Sequence, residues 1–287
     1  MKKTDINSIY KKISNPQIIT IMGILNITPD SFSDGNKYNN LDKALSHCES
    51  MIKNGAEIID VGGESTRPYS KQVEVQEELD RVIPVIEKII SNFDVTVSID
   101  TTKSEVALES VKKGVQIIND ISGFTFDNNM INVAKDYDAI SIIMHIKGTP
   151  QNMQELPIYD DIIAEVITDL RNKALLLTNN GLKRIVIDPG FGFGKSVDDN
   201  YQILLNLSLF KELGYPILAG ISRKSMIGSV TGTNPENRLG GSIALNTVAA
   251  LNGASIIRVH DIQEHQQLKL VIERYKQIFK PDNGLLP

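Results

Sequence analysis

Eight short apolar runs recur along the chain: IITIMGIL (18–25), EIIDV (57–61), VTVSI (95–99), QII (116–118), AISIIM (139–144), RIVI (184–187), PILAGI (216–221) and SIIRV (255–259). They are almost continuously apolar rather than alternating, the pattern of strands covered on both faces, as in parallel sheets. Each is followed by a stretch with helical spacing. Thr102 or Ser104 can cap a helix reaching Lys113 and stopped by Gly114, and Asp42 precedes a helix ended by Asn54-Gly55. Another helix is expected from Asp160 to Asn180 before Gly181, and a last one from Gln263 to Phe279 before Lys280-Pro281.

Eight strand–helix units in 287 residues match a (β/α)8 barrel, with an open doubly wound sheet as the competing fold. The first polar residues after the runs decide between them: Asn26, Glu64, Asp100, Asn119, His145, Asp188, Ser222 and His260. In an open sheet only the strand ends beside the switch point meet a ligand, whereas in a barrel all eight surround one mouth. The expected fold is therefore an α/β TIM barrel of one domain, residues 1–287, with 1–16 as an amino-terminal extension and 280–287 as a tail. Two connections, 27–41 and 63–72, are long enough to be functional, and both lie on the side where barrels do chemistry.

Composition narrows the class. With 41% hydrophobic and 23% charged residues and no apolar run long enough to span a bilayer, the pattern is that of a soluble globular protein. A net charge of -5 argues against a general nucleic-acid binder, and MKKTDINSIYKKISNP lacks the apolar core of a secretory signal, so a cytoplasmic location is expected. The lone Cys48 cannot form an internal disulfide and reads as a small packed residue.

The stretch IDPGFGFGKS (187–196) ends like a phosphate-binding loop, but the position five before Gly194 is Pro189, which rejects a P-loop. Taken singly, Asp100 reads as a helix cap and Asp188 as a turn carboxylate. Together with Asn119 they put two carboxylates and a carboxamide around one cavity, a set suited to a flat heterocycle with several N–H donors on one edge. Arg223, Lys224, Arg258 and His260 gather at the ends of strands 7 and 8, where barrels commonly bind phosphate. His145 reads as a packed or hydrogen-bonded histidine, and His47 and His265 as helix-surface residues.

The segments ILNITPDSFSDG (24–35), GGESTRP (62–68), SIDTTK (98–103), INDISG (118–123), MHIKGTPQNMQ (144–154), DPGFGFGK (188–195), GISRKSMIG (220–228) and RVHD (258–261) resemble, in order and across the whole chain, the signature segments of the dihydropteroate synthases. The resemblance implies a barrel that joins 6-hydroxymethyl-7,8-dihydropterin pyrophosphate to p-aminobenzoate by dissociative substitution, releasing pyrophosphate with Mg2+. It implies that Asp100, Asn119, Asp188 and Lys224 read the pterin and that Asn26, Arg67, Arg258 and His260 hold the diphosphate, Asn26 also holding Mg2+. Phe32, Thr66, Pro68, Phe193 and Ser225 would form the p-aminobenzoate pocket, with Phe191 packed inward and Lys195 a loop charge or supporting contact. Lys224, Asp34 and Arg67 would be catalytic, Asp34 by stabilising the transient cation, and the family expectation is a homodimer. Two positions depart from the family pattern, Asn36 and Tyr69, where glycine is common.

Two rivals are kept. A pterin-binding methyltransferase on a similar barrel would share the Asp-Asn-Asp ring reader but would not need SRKS (222–225) and RVH (258–260) as a diphosphate site. A non-catalytic pterin- or phosphate-binding barrel would not need Asn26, Arg67 and Lys224 together.

Overall fold

The computed structural model describes residues 5–28, 37–66, 69–70, 72–153, 155 and 158–278. Eight strands, β1 (Thr20–Asn26), β2 (Ile58–Gly62), β3 (Thr96–Asp100), β4 (Ile117–Asp120), β5 (Ile140–Met144), β6 (Ile185–Asp188), β7 (Ile217–Ala219) and β8 (Ala254–Val259), close into one barrel in sequence order. All neighbours are parallel, and β8 pairs with β1. The eight apolar runs are these strands. The run at 216–221 overruns β7, which ends at Ala219 and pairs with β6 only at Ile187 and Ile217.

Around the barrel lie α2 (Lys37–Lys53), α3 (Val75–Asn92), α4 (Ser104–Lys113), α5 (Met130–Asp136), α6 (Ile162–Asn179), α7 (Val197–Leu205), α8 (Ser225–Thr231), α9 (Leu239–Leu251) and α10 (Ile262–Ile278), while α1 (Ile6–Ile13) precedes β1. Their ends follow local chemistry. Asp161 accepts from the amides of Ile163 and Ala164 at the start of α6, and Ser196 and Asp199 form a reciprocal capping box on α7. Gly114 ends α4 in the left-handed region at φ 109°. Neither Thr102 nor Ser104 caps α4; Asp127, from the segment after β4, accepts from the Ser104 amide at 2.8 Å instead. α2 begins at Lys37, before the expected Asp42, so the connection after β1 is shorter than 27–41.

Two apolar layers hold the fold. Outward strand residues pack against the helices, where Cys48 is fully buried and its thiol is pushed up to about 12 by that burial. Inward residues Met22, Ile58, Ile117, Ile142, Val186 and Ile256 fill the lumen, and Ile9 and Ile13 of α1 pack against them. Tyr10 ties α1 to the Ile185 carbonyl at 3.1 Å. The lumen is thus a packed floor, above which the polar strand ends lie at the carboxyl side.

Candidate active site

Four even-numbered strands bring Asp60 (β2), Asn119 (β4), Asp188 (β6) and Arg258 (β8) to the lumen, and Asp100 joins them from β3. Side chains of alternate strands share a layer in such barrels, so residues far apart in the chain meet. Arg258 donates from Nε to Asp60 at 2.6 Å and from its NH2 group to Asp100 at 2.7 Å. Asn119 donates to the same Asp60 oxygen at 3.1 Å. Burial pushes the Asp100 carboxyl up to about 7; Arg258 opposes the shift and the neighbouring Asp60 adds to it. Burial also opposes the Arg258 charge, but Asp60 and Asp100 outweigh it and hold the guanidinium charged.

Asp188 accepts from the Gly190 amide at 2.7 Å, and burial raises its pKa against the pull of Lys224. Lys224 is pushed down to about 8, first by burial; Asp188 counteracts this and Arg258 adds to it. A Cβ at Gly220 would stand 3.9 Å from Lys224 Nζ and 4.0 Å from Asp188 Oδ2, so the cation and the carboxylate border the same small space. Lys224 also donates to the Phe191 carbonyl and lies over the Phe193 ring, 4.5 Å from its centre.

The turn from Gly190 to Gly194 sets this arrangement. Gly190 and Gly194 have φ of +71° and +62°, and a Cβ there would stand 2.0 Å from the His145 carbonyl oxygen and 2.4 Å from that of Lys147. No side chain fits at either position. Phe191 packs fully inward and Phe193 stays half-buried at the mouth. Lys195 is a buried strut, bonded to His145 Nδ1 at 2.8 Å and to the carbonyls of Gly190 and Phe193 at 2.9 and 3.0 Å. Burial, reinforced by Lys195, pushes His145 down to about 2, which favours the neutral ring that accepts the Lys195 contact at Nδ1.

After β2, Glu64 accepts from the Val73 amide at 3.2 Å and pairs with Lys103, which also pairs with the buried Glu78 at 2.5 Å. Arg81 holds the Gly63 carbonyl at 2.6 Å, and the Tyr69 amide reaches the Pro150 carbonyl at 3.1 Å. A cavity of about 150 Å³ opens there, bordered by Thr66, Asp100, Thr101, Ile121 and Thr149.

Asn26 is half-buried at the end of β1, with its side-chain Oδ1 3.7 Å from where a Gly62 Cβ would stand. His260 Nδ1 lies 3.1 Å from the Ser222 hydroxyl. Arg223, grouped in sequence with the phosphate-type cations, is ion-paired with Asp261. Ser225 is exposed at the start of α8, and Thr66 is half-buried. Phe32, Asp34, Arg67 and Pro68 lie outside the described residues. The first polar residues after the apolar runs do not include Asp60, because it lies inside one. His265, expected on a helix surface, is instead fully buried, 2.9 Å from Asn246 Nδ2.

A protein-family profile for pterin binding enzymes matches residues 22–260. The dihydropteroate synthase of Escherichia coli is 46% identical over 263 residues, 91% of this chain and 92% of that protein. The chain belongs to the dihydropteroate synthase family. Solved dihydropteroate synthases agree in fold. That of Yersinia pestis, in a sulfonamide drug complex, superposes with a TM-score of 0.87 at 42% identity, covering 92% of this chain and 96% of that one. That of Clostridium difficile, in the presence of pteroic acid, gives 0.85 at 44% identity, covering 90% and 97%.

Proposed function

We propose that the chain joins 6-hydroxymethyl-7,8-dihydropterin pyrophosphate to p-aminobenzoate, giving 7,8-dihydropteroate and pyrophosphate. Family membership supports the reaction; the observation that carries it to this chain's residues is the convergence of Asp100, Asn119, Asp188, Lys224 and Arg258 at the barrel mouth. An amino-pyrimidinone edge offers N–H donors to Asp188 and acceptors to Lys224, with Asp100 and Asn119 around the same ring. Charge-assisted bonds of this kind are the stronger ones and fix orientation.

Arg258, His260 and Asn26, with Arg67, hold the diphosphate. The bond from the pterin methylene carbon to the diphosphate oxygen breaks with its electron pair leaving on pyrophosphate; the p-aminobenzoate nitrogen then forms the new bond and loses a proton to solvent. Catalysis in this scheme is positioning and charge stabilisation, for which Lys224, Arg67 and Asp34 are assigned. The half-buried Phe193 beneath Lys224 supports a p-aminobenzoate pocket adjoining the pterin, completed by Phe32, Thr66, Pro68 and Ser225.

Mg2+ fits this donor set. Among the described residues no group of three His, Cys, Asp or Glu side chains is arranged to hold a metal, and Mg2+ accepts a single carboxamide such as Asn26 when substrate phosphate and water complete its shell. When bound there it would supply positive charge to the leaving pyrophosphate. Exposed Leu205, Leu209, Val230, Val248 and Leu251 on the neighbouring α7–α9 region support a homodimer through that face, which sedimentation would test. No helix among the described residues is long and apolar enough to cross a membrane, and a cytoplasmic location belongs to the same proposal.

The reaction is tested by mixing the purified chain with both substrates and Mg2+ and assaying pyrophosphate. Release that requires p-aminobenzoate is expected. Its absence with folded protein would overturn the assignment.

A further inference from the structure

Asp60 is the residue that links the two halves of this site. It lies inside the apolar run of β2, fully buried, and one of its oxygens accepts from both Arg258 and Asn119 while the other accepts no hydrogen bond among the described residues. A buried carboxylate with half its acceptors unused is a poor stabiliser, since apolar replacements of buried ion pairs are often neutral or better. Its placement is informative. β2 is two strands from β8 on one side and two from β4 on the other, so one carboxylate reaches across β1 to Arg258 and across β3 to Asn119.

We infer that Asp60 is a positioning residue that sets Arg258 and Asn119 in register, so that the diphosphate and the pterin ring of one substrate meet them together. The inference rests on the site reading above. Asp60 holds Arg258 by Nε, while the NH2 group is held by Asp100, itself assigned to the pterin. A ring that occupies Asp100 loosens the second tie and leaves the first. The guanidinium then turns about its anchored Nε and offers its outer nitrogens to the diphosphate. Without Asp60, Arg258 would keep its charge but lose the pivot.

The test is a double-mutant cycle of Asp60→Asn and Arg258→Ala in steady-state kinetics, with thermal melting of each variant. Asp60→Asn is expected to lower kcat/KM for the pterin pyrophosphate by roughly tenfold or more while leaving KM for p-aminobenzoate within about twofold. On the Arg258→Ala background the same change should alter kcat/KM by less than about threefold, because residues in one network are not additive. A purely structural role would lower the melting temperature and affect both substrates alike, and that result overturns the inference. Loss in Arg258→Ala without loss in Asp60→Asn overturns it too, and leaves the site reading standing. Wild-type kinetics in Arg258→Ala would instead remove the site reading, and with it the partner through which Asp60 acts.

Discussion

The two ends of the barrel use the same side-chain types to opposite effect. At the amino-terminal end Glu57 pairs with Lys12 of α1 and with Lys269 of α10 at 2.8 Å, and also accepts from the Ile21 amide at 3.2 Å. Burial acts against its charge, but the two lysines more than compensate and its pKa lies below the usual carboxylate range. At the carboxyl end burial wins: Asp100 and Asp188 are raised and Lys224 is lowered, although opposite charges stand beside each. Carboxylates Asp60, Asp100 and Asp188 there share the cations Arg258 and Lys224. One end is electrostatically settled and ties helices to the barrel; the other is left strained in charge, the expected condition of a site completed by a ligand.

The contrast can be broken most forcefully at Arg258. Arg258→Ala leaves Asp60 buried without its cation and should cost about 3 to 5 kcal/mol of stability, read by denaturant unfolding, along with turnover. Neutral stability in that variant would mean that the upper cluster tolerates an unpaired charge. A second approach uses pH. Lys224 loses its proton in the ligand-free protein near pH 8, so kcat/KM should decline as pH rises through that value. A flat profile to pH 10 would separate the Lys224 charge from substrate capture.

Effects at the lower end should be smaller and leave activity alone. Glu57→Gln is expected to cost about 1 kcal/mol at neutral pH. Because the folded pKa of Glu57 is depressed, its contribution is present above the unfolded value and is lost as pH falls through the folded one. The difference between wild type and variant should therefore narrow on acidification, and a gap that widens below about pH 4 would contradict the pairing. Lys12→Ala removes a cation whose side chain is 45% exposed and should change stability by less than about 1 kcal/mol, with turnover unchanged.

How much of this was legible in the sequence depends on what the sequence encodes locally. Strands were readable because a strand buried on both faces must be apolar throughout, and Asp100, Asn119 and Asp188 because each interrupts such a run at its end. β7 was overread because Gly220 and Ile221 continue the apolar run beyond the last paired residue, Ala219. Asp60 and His265 were hidden because each is a buried polar group whose side-chain partner is set only by the closed fold: Asp60 finds Arg258 across the barrel, and His265 finds Asn246. Lys195, read as a loop charge or a supporting contact, is the second of these, bonded to His145 and to the nearby carbonyls of Gly190 and Phe193.

The reading of a pterin by the carboxyl-end cluster is tested most directly at Asp188. Calorimetric titration of Asp188→Asn with a dihydropterin should show affinity reduced by about 1 to 3 kcal/mol or more, because two acceptor oxygens facing N–H donors are replaced by a mismatched amide, while the melting temperature stays close to wild type. Unchanged affinity in a folded variant would contradict the account and remove Asp188 from the pterin site.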